Sequence, residues 1–490
     1  QVEWIPGWGE KRIDSMLENR PDWCVSRQRT WGVPIPLFVN KQTGDLHPDT
    51  DVLLVKTADI IAEQSIDGWF ELDMSSLLGD AADDYDQVVD TMDVWMDSGM
   101  VHHCVSTARA DIPQLADLYL EGSDQHRGWF QSSLLTSVAM HGHAPYKQCM
   151  THGFTVDEKG HKMSKSLGNT IAPQKVVNNL GADILRLWVA ATDYSGEMSA
   201  SDEILKRMSD SYRRMRNTVR FLLGNLHGFD PATDIVANEN MVDLDRWAMQ
   251  RAFEMHTAIS QAYDEYAFHR VYQDLHNFCV VDMGGFYLDI IKDRLYTTGA
   301  DSLPRRSAQT AMFHVAEAMV RWLAPILSFT AEEIWSELPG KRDASVFLSE
   351  FFRLPDKTNT KANWASLIDI RESVAKALEA LRDSGDIGSA LEATVVVYAD
   401  GETADVLQAL GDELRFVFIT STAEVRPLAE APANAVVADG CKIAVAASSE
   451  AKCVRCWHRR PDVGSVAEHE EICERCARNV TAAGESRVYA

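Results

Sequence analysis

Two short clusters in this sequence have residue types and spacings that could do chemistry. The first is Cys453-Val-Arg-Cys456 with Cys473-Glu-Arg-Cys476, two Cys-x-x-Cys pairs separated by sixteen residues. Each pair makes a turn that aims two thiolates at one point, and four thiolates suit the tetrahedral preference of zinc. A closed four-sulfur shell leaves no position open for a substrate, so one Zn2+ held here is structural. Four unrelated buried cysteines are the alternative reading. Arg455, Trp457, His458, Arg459, Arg460, Arg475 and Arg478 surround the cluster, a mixture of cations and aromatic face that suits phosphates and a stacked base.

The second cluster is Lys162-Met163-Ser164-Lys165-Ser166, which follows a Gly-containing turn and precedes Gly168-Asn169. Two ammonium groups and two hydroxyls on a loop can hold triphosphate oxygens and neutralise charge growing on a leaving pyrophosphate. The same five residues also read as an ordinary exposed basic turn. A third feature is the track Lys206, Arg207, Arg213, Arg214, Arg216 and Arg220, opposed only by Asp202, Glu203 and Asp210. It suits phosphates, or is simply a solvated helix face.

The elements that must position these residues follow from periodicity. Leu118-Tyr119-Leu120 runs into Glu-Gly-Ser-Asp, and Trp129, Phe130, Leu134, Leu135 and Val138 recur at helical spacing: strand, turn, helix. A second apolar run, Cys149 to Val156, leads into a polar turn, and Pro173 opens a helical pattern reaching Trp188. Alternating strands and helices predict a parallel sheet with ligands at the carboxyl ends of its strands, which places Glu121 to Gln125 and Gly153 to Ser166 at the site. From 202 to 338 the pattern becomes long amphipathic helices, over 202–226, 243–265, 267–292 and 304–338, the last kinked at Pro325. Beyond Phe347 a helix over 367–381 alternates with strand-like runs at 394–398, 416–419 and 443–446.

At 490 residues the chain exceeds one compact core, and length alone suggests roughly three domains. Hydrophobic residues make up 46% and the formal net charge is -26. That charge argues against a chain coated in nucleic acid, though not against local basic tracks. No run approaches the roughly 20 apolar residues of a membrane span, so no membrane partner is expected. Nine cysteines without a secretion signal fit a reducing cytoplasm. The chain opens at Gln1 with no initiator Met, as if it begins inside a longer protein.

With these residues in view, the sequence resembles the class I aminoacyl-tRNA synthetases, whose second signature Lys162–Ser166 matches letter for letter. Trp23-Cys-Val-Ser-Arg-Gln-Arg-Thr-Trp-Gly32, Asp93-Val-Trp-Met-Asp-Ser-Gly99, Glu121-Gly-Ser-Asp-Gln-His-Arg-Gly-Trp129, Thr151-His-Gly-Phe154 and Gly181-Ala-Asp-Ile-Leu-Arg-Leu-Trp188 resemble the isoleucine-specific branch. The resemblance implies a multidomain chain: an α/β Rossmann-like catalytic portion over 1–195, an α-helical bundle for anticodon binding over 196–345, a small α+β region over 346–445 and a zinc ribbon over 446–490.

The resemblance also implies roles. Glu121, Gly122, Asp124 and Gln125 match the segment that contacts isoleucine and its adenylate, and Trp95 and Trp129 match the aromatic walls of the side-chain pocket. Read without the resemblance, a Trp in an Asp-Val-Trp loop belongs more often to a core. Lys162 and Lys165 match the catalytic lysines, and Met163, Ser164, Ser166, His152 and Gly153 the ATP contacts. The implied partners are ATP with Mg2+, L-isoleucine and tRNA(Ile), acting on a cytoplasmic monomer. The sequence departs from the family in showing neither a His-Ile-Gly-His segment nor an editing insertion, so the chain alone is expected to lack half of the adenylate site. A non-catalytic tRNA-binding protein and a valine or leucine ligase are the competing readings.

Overall fold

The computed structural model describes residues 2–355, 359–481 and 484–490. The chain divides into two compact units, Gln1–Lys162 with Tyr194–Ser199, and Met163–Asp193 with Ala200–Ala490.

The first unit is organised on a three-stranded sheet in the order Glu3–Ile5, Tyr146–His152, Ala116–Gly122, with both pairings parallel. Parallel strands place their carboxyl ends on one edge, so Gly122 and His152 are register partners there, as are Glu121 and Thr151. Tyr119, Phe130, Tyr146 and Cys149 form the core beside the sheet, with Trp4 and Trp129 packed against them. Burial pushes the Cys149 thiol up to about 12, so it packs as an inert apolar group. A separate small cluster of Phe38, Leu53 and Trp69 supports the strands Phe38–Asn40 and Tyr85–Gln87.

The second unit is dominated by helices: Asp202–Asn225, Asp243–Asp264, Phe268–Asn277, Leu288–Thr297, Leu303–Leu323 and Ser328–Glu337. Ser201 starts the first of them, its hydroxyl accepting from Ile204 N at 3.2 Å, with Asp202 and Glu203 in the first turn favoured by the helix dipole. The helix expected over 267–292 is observed as a longer helical run in which Phe278–Tyr287 is a π-helix. The wider turn brings the Cys279 carbonyl to 2.9 Å from where a Cβ on residue 284 would sit, and Gly284 removes the conflict.

The kink expected at Pro325 is a complete break, with one helix ending at Leu323 and the next beginning at Ser328. Proline removes a donor and clashes with the preceding turn, leaving backbone groups without helical partners. Arg186 takes the freed carbonyls, donating to Pro325 O and Ile326 O, each at 2.8 Å. Asp183 accepts from Thr330 N at 2.8 Å and Thr330 Oγ1 at 2.6 Å, capping the second helix. The Gly181–Trp188 motif thus grips this break. Gly181 itself, at φ 91°, divides the helical pattern after Pro173 into Pro173–Leu180 and Ala182–Ala191.

Toward the C-terminus a four-stranded sheet runs in the order Thr422–Arg426, Ala393–Ala399, Cys441–Ala447, Val436–Ala438, parallel at the first pairing and antiparallel at the others. Residues 416–419, expected as a strand, instead belong to a helix, Leu414–Phe418, closed by Ile419 at φ 57°. All five helical residues are buried, and an apolar run without alternation cannot distinguish a buried strand from a buried helical turn.

Candidate functional site

At the carboxyl edge of the parallel sheet the structure gathers most of the residues expected there. Trp129 begins the helix Trp129–His141, and its backbone N–H donates to Gln125 Oε1 at 3.0 Å, so the Gln125 side chain caps the helix. The Trp129 indole stacks on Tyr119 with centroids 4.1 Å apart and an interplanar angle of 10°, and its Nε1–H donates to Ser98 O at 3.0 Å. Trp95 lies across Gly128: a Cβ added there would stand 2.7 Å from the indole. Asp124 and Gln125 are joined by a 3.2 Å hydrogen bond, and Glu121 is exposed at the strand end.

Asp93 is the residue that sequence reasoning quoted without a role. Its Oδ2 accepts from Trp23 Nε1 at 2.9 Å and from Arg27 Nη2 at 2.6 Å, while Oδ1 accepts from Trp95 N at 3.3 Å. One buried carboxylate therefore fixes the first turn that carries Trp95 and links it to the Trp23–Gly32 segment. The available signal was its position as an Asp immediately before a helical pattern.

His152 and Gly153 follow the central strand. The His152 ring bonds Gly153 O at 2.8 Å, and Gly153 N donates to Tyr194 O at 2.9 Å. A Cβ on residue 153 would sit 1.9 Å from the Gly196 carbonyl oxygen, so only glycine permits this approach. Lys162, the last residue of this unit's main segment, places its ammonium 3.9 Å from the Phe154 ring centroid. Ahead of it, Asp157 Oδ1 accepts from Lys159 N and His161 N at 2.9 Å each and shapes the Gly160 turn.

Met163 to Ser166 belong to the other unit, so the Lys162–Ser166 segment crosses the division along the chain. Ser164 N donates to Asn169 Oδ1 at 2.9 Å, Ser164 and Ser166 hydroxyls meet at 3.1 Å, and Leu167 N donates to Ser164 Oγ at 3.3 Å. Lys165 is exposed. Local polar contacts thus form the loop and leave its second ammonium facing solvent.

The four cysteines do converge. Their sulfurs all lie within 4.8 Å of one another, all four residues are buried, and Cys456 Sγ stands 3.8 Å from Cys473 Sγ. Tetrahedral zinc with bonds of about 2.3 Å spaces its sulfurs by about 3.8 Å, so the donor set fits that ion. Cys473 N also donates to Cys453 Sγ at 3.4 Å, a contact that favours a thiolate.

The cations around this centre are mostly committed to the protein's own groups. Arg475 binds Asp293 through both terminal nitrogens at 2.6 and 2.9 Å, Arg487 reaches the same carboxylate at 2.7 Å, and Arg455 donates to Thr297 O at 2.7 Å. Burial alone would raise the Asp293 carboxyl, but the Arg475 and Arg487 guanidiniums overcome this and hold it well below the usual range. Arg460 meets Asp412 and Asp462, Arg459 meets Glu392, and His458 is buried. The expectation of a phosphate- and base-binding set is thereby reduced to exposed Trp457 and Arg478. Clustered arginines in sequence carry no record of which carboxylates will fold onto them. The basic track is as expected on the exposed face of Asp202–Asn225, where Arg207 pairs with Glu203 and Arg213 with Asp210.

Comparison with known proteins finds three matching families. Residues 1–201 match the family of class I tRNA synthetases (I, L, M and V), residues 245–397 the anticodon-binding domain of tRNA ligase, and residues 451–479 the zinc finger found in FPG and IleRS. Over residues 1–201 the chain is thus similar to class I tRNA synthetases. Across its whole length it is 58% identical over 496 residues to the isoleucine–tRNA ligase of Methylococcus capsulatus and 59% identical over 497 residues to that of Alcanivorax borkumensis. It spans 53% of each, about half the length of the curated relatives it matches. Among solved structures, the Agrobacterium radiobacter K84 LeuRS-tRNA-LeuAMS ternary complex aligns with 68% of this chain and 44% of its own at TM-score 0.50 and 19% identity. Mycobacterium tuberculosis methionyl-tRNA synthetase with methionyl-adenylate aligns with 73% and 63% at TM-score 0.50 and 17% identity. At that identity the likeness concerns the fold.

Proposed function

We propose that this chain supplies the phosphate loop, the adenylate-binding strand edge and the tRNA-binding portion of an isoleucine–tRNA ligase. The observation that supports it most is the identity to isoleucine–tRNA ligases along the whole chain, including an intact Lys162–Ser166 segment. In this reading the isoleucine carboxylate attacks the α-phosphorus of ATP and pyrophosphate leaves. Mg2+ accompanying ATP offsets phosphate charge. Lys162 and Lys165 stabilise the departing pyrophosphate, while Met163, Ser164, Ser166, His152 and Gly153 hold the nucleotide. Glu121, Gly122, Asp124 and Gln125 orient the adenylate, and Trp95 and Trp129 wall the aliphatic side chain. A ribose hydroxyl of the terminal tRNA adenosine then displaces AMP, and positioning alone suffices without a covalent enzyme intermediate.

An apolar pocket separates side chains differing by one methylene by only about 1–3 kcal/mol, a limit that isoleucine enzymes themselves illustrate. In the same reading residues 1–195 are catalytic, 196–345 receive the anticodon, 346–445 and 446–490 complete the tRNA surface, and the protein acts as a cytoplasmic monomer. Among the described residues no helix is long and apolar enough to cross a membrane. The test is amino-acid-dependent ATP–pyrophosphate exchange in a polypeptide joining this chain to the remaining half of the relatives' length. Isoleucine should drive exchange, valine less and leucine negligibly; exchange that ignores isoleucine overturns the proposal.

A further inference from the structure

Arginines packed into this protein commonly meet carboxylates, as Arg294 meets Asp245 and Arg321 meets Glu317. One cleft departs from that pattern. A cavity of about 480 Å³ in the first unit is lined by Arg12, Arg20 and Arg127 with Ser15, Asn19 and Gln131 among its polar groups, and no Asp or Glu lines it. Three other cavities of the chain each include at least one carboxylate, in a sequence of formal charge -26.

Two of the three guanidiniums lie against aromatic rings. Arg12 lies on the helix Trp8–Glu18 with its guanidinium 5.9 Å from the Trp8 ring centroid, and Asp14 and Glu18 of that helix do not reach the cleft. Arg20 stacks 5.2 Å from the Trp23 centroid and donates to Gln131 Oε1 at 2.5 Å, a neutral partner that leaves its charge uncompensated. Arg127 ends the turn Ser123–Arg127 and is exposed. Among the described residues none of the three forms an ion pair. A set of cations with no internal counter-charge draws that charge from outside, and planar guanidiniums favour phosphate oxygens.

We propose that this cleft holds backbone phosphates of the 3′-terminal acceptor strand of tRNA. The inference rests on the ligase reading for the identity of the RNA, and on the geometry for its place. The Ser123–Arg127 turn directly follows the strand whose end carries Glu121 and Gly122. Arg127 is five residues beyond Gly122 in this turn, which puts the cleft beside that strand edge. The cleft is several times the size of one phosphate and is lined by three cations, enough for more than one phosphodiester.

The experiment is binding of the 490-residue chain to an RNA minihelix carrying the acceptor stem, followed from about 50 to about 200 mM salt. The double variant Arg12→Gln/Arg127→Gln should weaken binding about three- to tenfold and lower the salt slope by about one per arginine. Arg12→Lys/Arg127→Lys, which keeps the charge at two exposed positions, should keep the slope. Unchanged affinity and slope in the Gln variant overturn the assignment. So does inorganic pyrophosphate that binds the parent chain but not the Gln variant and leaves the minihelix bound, since the cleft would then serve small phosphates. If the parent binds the minihelix as expected while isoleucine fails to drive pyrophosphate exchange, the ligase reading falls and the RNA site stands.

Discussion

Around Lys165 the polar contacts are local and face solvent: Ser164 with Asn169, Ser164 with Ser166, and Leu167, itself 68% exposed, with Ser164. Around the four cysteines the contacts span the sequence: Arg475 and Arg487 converge on Asp293, more than 180 positions away, and the Phe416 ring lies 3.3 Å from the Arg487 guanidinium. The tail after the module is tied as firmly, with Val488 N, Tyr489 N and Ala490 N donating to the Glu413 carboxylate at 2.7 to 2.9 Å. The proposed phosphate loop is held without distant burial, which suits a segment that would admit and release a ligand, whereas a metal module with little core of its own is anchored by it. Loss of one contact should therefore change rate in the first region and stability in the second.

The largest effect that can break this comparison is at the metal. Cys473→Ser opens the sulfur shell and removes zinc-linked stability that reaches about 10–16 kcal/mol in isolated zinc modules. Bound zinc should fall from one per chain to none, and 446–490 should become the first site of proteolysis. If tRNA charging in the complete enzyme falls no further than pyrophosphate exchange, the module does not serve tRNA. Next comes Asp293→Ala, which leaves Arg475 and Arg487 with Glu485 alone as counter-charge; a loss of about 3 kcal/mol is expected in urea unfolding. A change below about 1 kcal/mol would mean that the module is not fastened there.

Lys165→Ala tests the other side. Exchange should fall about 10²- to 10³-fold, about 3–4 kcal/mol of barrier, with the unfolding midpoint unmoved because Lys165 is exposed. A shifted midpoint would contradict the separation of roles. The smallest effect concerns a buried group remote in sequence from both clusters. Burial lowers the His314 imidazole to about 4, against an unfolded value of about 6.5. The unfolded chain binds the proton first, so this stability is complete above pH 6.5 and is lost as pH falls toward 4. Wild type should lose about 3 kcal/mol more than His314→Gln over that interval, read by denaturant unfolding at each pH. Parallel curves would show that His314 is not held neutral.

Much of the frame was legible because it depends on local physics. The helices over 202–226 and 243–265 were read within a residue of Asp202–Asn225 and Asp243–Asp264, since amphipathic spacing and the acidic first turn act within one element. The strand end near Glu121 was likewise legible from an apolar run meeting a polar turn, whereas the run from Cys149 to Val156 is divided into a strand ending at His152 and a separate strand Thr155–Val156. Phe416 was misread because an unalternating run has no period, and its ring instead stacks under three arginines. Asp93 was passed over because two of its three partners, Trp23 and Arg27, come from a segment more than 60 positions away.

By itself the sequence determined the donors and their spacing: four sulfurs in two Cys-x-x-Cys turns, two lysines in five residues, and an apolar run that meets Glu121. Those depend on covalent order, which holds before any folding. Only the tertiary structure decided which charges were already matched. Folding brought Asp293 to Arg475 and Arg487, and left Arg12, Arg20 and Arg127 around one cleft without a carboxylate. Ion pairing acts over a few ångströms regardless of sequence distance, so which arginines face inward to a partner and which face outward to a ligand is settled by packing.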